Sequence, residues 1–178
     1  MAIEIEIIPT VKHYLTWSTL KSRLIDLRPD LFSTISGKSL KLFQIENGIE
    51  HEVFGDELIC PSKSYRFDIN KKYGLFLGVY SNVATYTNEE EYIDDFSCNL
   101  NECMQIELAE KWRTAGYSFD VVLRGIQFNP TLDDFIVIAV AAAQLCDGYI
   151  LLKDKNIFDI PPGAYLPGEF ILAKSRFV

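Results

Sequence analysis

Few residues in this chain combine the types and spacings that chemistry needs, and each candidate competes with a plainer structural role. A cysteine, an aspartate and a glycine adjoin at Cys146-Asp147-Gly148. A reactive thiolate needs an electropositive setting such as a helix N-terminus or a neighbouring cation. These residues instead close a long apolar run, "LDDFIVIAVAAAQL", and the C-terminal end of a helix carries partial negative charge that disfavours a thiolate. The stretch therefore reads as a helix cap, with Gly148 supplying the left-handed residue.

His51 stands between Glu50 and Glu52, and an imidazole beside carboxylates is the raw material of acid–base catalysis. It is one of two histidines, the other being His13. Along a strand His51 alternates with Ile49 and Val53, which predicts that it faces inward or half-inward while Glu50 and Glu52 point the other way. A structural histidine on a sheet face is the plain reading. A small enzyme with a site built on His51, Glu50 and Glu52 at the mouth of the sheet is the alternative.

Other patterns fail on their own requirements. Ser36-Gly37-Lys38-Ser39 resembles the tail of a phosphate-binding loop, but Phe32 stands where its first glycine is needed, and "LKLFQIE" reads as a strand where a helix should follow. GxSxG, HExxH and GxGxxG are absent, and "DKNIFD" at 154–159 lacks the glycine and ligand spacing of a calcium loop. Cys98 and Cys103 are spaced more loosely than zinc clips. The four cysteines form no CxxC and no regular framework, so they read as reduced, mostly buried thiols. No cofactor or metal is implied, and the spacings point away from an enzyme.

Charge carries the strongest signal. The net charge of −8 comes entirely from residues 73–110, which contain no Lys or Arg but hold Glu89, Glu90, Glu91, Asp94, Asp95, Glu102, Glu107 and Glu110. The flanking parts of the chain are each neutral. Carboxylates this dense repel one another and need solvent or a cationic partner. Such a field repels nucleic acid and anionic lipid and attracts basic proteins, and the aromatic residues are not interleaved with a basic patch. A solvated face is the plain reading of the run. The functional reading is a surface of Glu89, Glu90, Glu91, Asp94 and Asp95, with Tyr86 and Tyr92 as aromatic anchors, that docks a basic protein.

The elements that would position these groups follow from periodicity. "AIEIEII" alternates with Ile3, Ile5 and Ile7 on one side, which predicts a strand. Thr16 suits an N-cap for a helix carrying Trp17, Leu20, Leu24 and Leu27 on one stripe up to Pro29. Asn47-Gly48 predicts a type I′ hairpin, "SYRFDI" another strand, and "GLFLGVY" a central strand covered on both faces. Asn101 caps a helix ending at Ala115-Gly116, and "YSFDVVLRGI" returns as a strand. Thr131 with Asp133 and Asp134 opens the buried helix, after which "YILL", "KDKN" and "IFDI" predict a hairpin. "IPPGAYLPGEF" reads as a stiff loop, either a connector or a contact surface carrying Tyr165 and Phe170, before a last strand "FILAK".

The sequence thus predicts one α+β domain over 1–178, with a minor subdivision, if any, near 84–102. It predicts a mixed or antiparallel sheet and about three main helices, one of them (132–146) largely buried. The start lacks the basic n-region of a secretory signal, and the longest charge-free apolar run has nine residues against the roughly 20 that span a bilayer. A cytoplasmic protein without membrane or nucleic-acid partners is expected. The favoured role is a protein-binding module of inhibitor or immunity type. A structural subunit of an assembly is a further alternative, marked by an exposed apolar patch near Tyr165 and Phe170.

Overall fold

The computed structural model describes residues 2–12, 14–32, 40–68, 74–81, 100–124, 132–153 and 160–175. Among these residues eight strands form one sheet in the order β3-β2-β4-β5-β6-β1-β7-β8, and all seven pairings are antiparallel. They are β1 (Ala2–Ile8), β2 (Lys41–Glu46), β3 (Ile49–Glu52), β4 (Lys63–Asp68), β5 (Gly74–Ser81), β6 (Tyr117–Arg124), β7 (Tyr149–Leu152) and β8 (Gly163–Tyr165). The helices are α1 (Trp17–Leu27), the single turn α2 (Pro29–Phe32), α3 (Glu102–Ala115), α4 (Leu132–Leu145) and α5 (Pro167–Ser175). The α+β class stands, with four helices longer than one turn among the described residues rather than about three.

Local chemistry sets most element ends. Thr16 caps α1 in a reciprocal box with Thr19, and Trp17, Leu20 and Leu24 are its buried stripe. Asn47 and Gly48 have φ of 51° and 78°, the positive pair that a type I′ turn requires, and they join β2 to β3. Asn101 accepts the Met104 N–H at 2.9 Å, and Gly116, at φ 82°, closes α3. The Thr131 cap lies outside the described residues.

α4 is apolar on most of its circumference because most of it is covered, with Asp134, Val137, Gln144 and Leu145 only half-buried. Phe135, Ile138, Ala139, Ala141, Ala142 and Ala143 are fully buried, and the helix packs on α1, α5, β1, β6 and β7. Burying each large apolar side chain of this kind contributes about 1.5–3 kcal/mol. The opposite sheet face is covered by α3, where Leu108, Ala109 and Trp112 pack with Ile8 and Leu151. β5 is less enclosed than the sequence predicts: Tyr80 is 52% exposed and Phe76 half-buried. "GLFLGVY" is apolar on both faces, but its large side chains are fully buried only on the face bearing Leu75, Leu77 and Val79.

The end of α4 differs from expectation in one detail. Gly148 N–H donates to the Ala143 carbonyl at 2.8 Å, the six-to-one bond of a Schellman cap, and the left-handed residue is Asp147 at φ 48°. Gly148 is needed for space, since a Cβ there would lie 2.8 Å from the Ile8 carbonyl and 2.9 Å from the Cys146 sulfur. Thr10 holds the turn by donating its hydroxyl to the Asp147 carbonyl at 2.7 Å.

The C-terminal region differs more. β7 pairs with Gly163–Tyr165, while residues 157–159 of the expected "IFDI" strand lie outside the described set. "FILAK" lies within α5 rather than a strand. Pro167 opens this helix and Glu169 reaches back to the Leu166 N–H at 3.0 Å, a local start signal that outweighs the β-branched and aromatic residues.

Candidate functional site

The acidic residues Glu89, Glu90, Glu91, Asp94 and Asp95, with Tyr86 and Tyr92, lie outside the described residues. The remaining acids of that basic-free stretch are on α3. Because Leu108, Ala109 and Trp112 turn one side of α3 onto the sheet, Glu102 and Glu110 stand exposed on its outer side. Among the described residues neither has a cationic partner. Glu107 is half-buried and accepts the Tyr149 hydroxyl at 3.0 Å. Burial first, then the Glu107 carboxylate, pushes the Tyr149 phenol above its ordinary value.

Sequence reasoning missed a second acidic group on the same side of the sheet. β1 and β6 pair so that Glu6 stands directly opposite Asp120, with Glu4 two residues along. Glu6 is 12% exposed and forms an ion pair with Lys153 at 2.7 Å. Asp120 is pushed up to about 8, first by burial and then by Glu6 and Glu4, the latter also hydrogen-bonded to it, while Lys153 acts against the shift. Like charges directly opposite one another destabilise a ladder, and a retained proton relieves the conflict. A proton held within this group lets one carboxyl donate a hydrogen bond to its neighbour. The alternation of Glu4 and Glu6 was visible in "AIEIEII", but its pairing with Asp120 depends on two strands far apart in the chain meeting in one register.

The β2–β3 hairpin places Glu50, His51 and Glu52 apart. Glu50 and Glu52 face the α3 side, where Glu50 meets Arg66 in a two-point contact at 2.6 and 2.7 Å and Glu52 meets Lys41 at 2.9 Å. Arg66 holds the Glu50 carboxyl below its ordinary value through that hydrogen bond, and its guanidinium lies 4.9 Å from the Phe43 ring centroid. His51 is on the other face and is exposed, which corrects the expectation that it faces inward. β3 is the edge strand, so the apolar layer under β2 ends before reaching His51, and only Val53, one residue past β3, is buried. The three residues do not converge on one reactive position.

The cysteines also differ from expectation. Cys60 and Cys103 are exposed and Cys146 is buried, all three free, and Cys98 lies outside the described residues. Burial pushes the Cys146 thiol up to about 12, which removes it as a nucleophile. Among the described residues no group of three or more His, Cys, Asp and Glu is placed to hold a metal ion. Phe170 is fully buried against Tyr165, with ring centroids 5.9 Å apart, so it belongs to the core rather than to a contact surface. No described helix is long and apolar enough to cross a membrane. No protein-family model matches the chain, and neither the curated proteins nor the solved structures give a match.

Proposed function

We propose that this chain is a protein-binding module of inhibitor or immunity type that docks a basic partner through its acidic segment, with Glu89, Glu90, Glu91, Asp94 and Asp95 as charged contacts and Tyr86 and Tyr92 as anchors. The observation that supports it is the concentration of eight acids, with no Lys or Arg, in residues 73–110. Glu6, Glu46, Glu50, Glu52 and Asp30 each have a cationic partner within 3 Å. Glu102 and Glu110, in the stretch that has no Lys or Arg of its own, have none among the described residues. Uncompensated surface carboxylates raise the local field, steer a basic partner and disfavour acidic ones.

Affinity capture at low and moderate salt tests this reading, using the native chain, a variant with Glu89, Glu90, Glu91, Asp94 and Asp95 changed to Gln or Asn, and Glu102→Gln/Glu110→Gln. Basic proteins held by the native chain should be lost from the first variant and weakened by salt, since exposed charges are screened within about 10 Å at 0.1 M. The same proteins on the native chain and on the variant neutralised at 89–95 would sink the idea. A catalytic site on His51 draws no support, because its neighbouring carboxylates face away and are engaged by Arg66 and Lys41. A role as a structural subunit has one observation in its favour, the exposure of Leu166, Ile171 and Leu172 around α5.

A further inference from the structure

The loop after β3 holds large apolar side chains out in water by a rigid backbone. Phe54 is 61% and Leu58 51% exposed, while Val53 and Ile59 at either end are buried in the core. Between them the chain is tied to the start of α1: Trp17 N–H donates to the Glu57 carbonyl at 3.0 Å and Ser18 N–H to the Gly55 carbonyl at 2.8 Å. Within the turn, Glu57 N–H donates to the Phe54 carbonyl at 3.1 Å, and Phe54 N–H donates to Glu57 Oε1 at 2.7 Å. Leu58 bridges to Thr16. The exposure of Phe54 and Leu58 is thus fixed by the fold and does not come from slack in the chain, and a preorganised apolar anchor loses little freedom on binding.

The charges around these anchors specify the partner. Residues 42–62 contain no Lys or Arg and five acids. Glu46, Glu50 and Glu52 are matched by Lys63, Arg66 and Lys41. Asp56 and Glu57 have no cation among the described residues: Asp56 accepts the Ser18 hydroxyl, and Glu57 accepts the Phe54 N–H. The two carboxylates left uncompensated are those beside the two exposed anchors. Two apolar residues rimmed by bare carboxylates complement a surface of apolar residues flanked by Lys or Arg, and they repel an anionic bilayer.

We propose that the Phe54–Leu58 loop is a docking surface for a basic amphipathic segment of a partner protein, with Phe54 and Leu58 as anchors and Asp56 and Glu57 as the charged rim. This deepens, and rests on, the reading of the chain as a binder of basic proteins. The test uses the full chain and a labelled helical peptide of about 18 residues with one leucine face and one lysine face. Control peptides replace Lys by Glu, or Leu by Ser.

The Leu/Lys peptide should bind and both controls should bind at least about tenfold more weakly. Phe54→Ala/Leu58→Ala should weaken binding about tenfold or more, with the melting temperature unchanged because both side chains are exposed. Asp56→Asn/Glu57→Gln keeps both turn hydrogen bonds and should weaken binding several-fold while removing most of its salt dependence. Equal affinity for native chain and Phe54→Ala/Leu58→Ala overturns the proposal, as does a failure of the Leu/Lys peptide to bind. The variant neutralised at 89–95 separates the two readings. If it alone loses the peptide, the acidic segment is the contact and the loop is not. If it keeps the peptide and the anchor variant loses it, the loop is the site.

Discussion

Replacing Asp120 by asparagine should change how stability depends on pH. The unfolded chain releases this proton near 3.8, whereas the folded chain holds it to about 8. Between those values the folded state binds more protons than the unfolded state, so the native chain loses stability as pH rises through the window and levels off above it. About four pH units at 1.36 kcal/mol each set a ceiling near 6 kcal/mol. Two features lower the expected loss: Lys153 already neutralises Glu6, and the exposed Glu4 can rotate into solvent. We expect a fall of about 2–3 kcal/mol between pH 5.5 and 9. An asparagine at this position cannot ionise and preserves the hydrogen-bonding shape, so Asp120→Asn should match the native chain at pH 5.5 and exceed it by about 2 kcal/mol at pH 9. Urea unfolding at fixed ionic strength at several pH values measures this difference. Parallel curves for the two proteins, or a variant weaker by the same amount at every pH, would refute the argument.

At the end of α4, Gly148→Ala should destabilise by about 2–3 kcal/mol, because the added methyl meets the Ile8 carbonyl and the Cys146 sulfur below contact distance. Asp147→Gly, at the left-handed position, should be neutral or slightly stabilising, and thermal denaturation of both variants checks which residue is the conformational one. Thiol labelling followed by peptide mapping should modify the exposed Cys60 and Cys103 in the native chain at neutral pH and reach Cys146 only after denaturant is added. Fast labelling of Cys146 in the native state would contradict its burial.

Much of the fold is legible in the sequence because its signals are local. Asn47-Gly48 turns a hairpin by its own backbone preference, Thr16 and Asn101 satisfy amides within their own first helical turns, and the unbroken apolar run of α4 can only be a covered helix. The last helix carried the same kind of signal in Pro167 and Glu169, and its start was readable although its apolar residues suggested a strand. The partner of β7 was not readable, since several short apolar segments could pair with it and only packing chose Gly163–Tyr165. The inward facing of His51 followed from alternation, but alternation gives two faces without saying how far the core extends beneath each.

The sequence by itself determined where most elements begin and end, and that the net charge sits in one basic-free stretch. Tertiary structure decided which charges are answered and which are bare. Glu50, Glu52 and Glu6 find Arg66, Lys41 and Lys153 only because particular strands meet in particular registers. Asp120 holds its proton because the fold buries it and brings Glu6 and Glu4 beside it. Asp56 and Glu57 remain uncompensated beside Phe54 because their loop is tied to α1 rather than to a cation. Helix caps and turns are made within a few residues of one another, so the sequence shows them, while electrostatic pairing acts across space between residues that only the fold brings together.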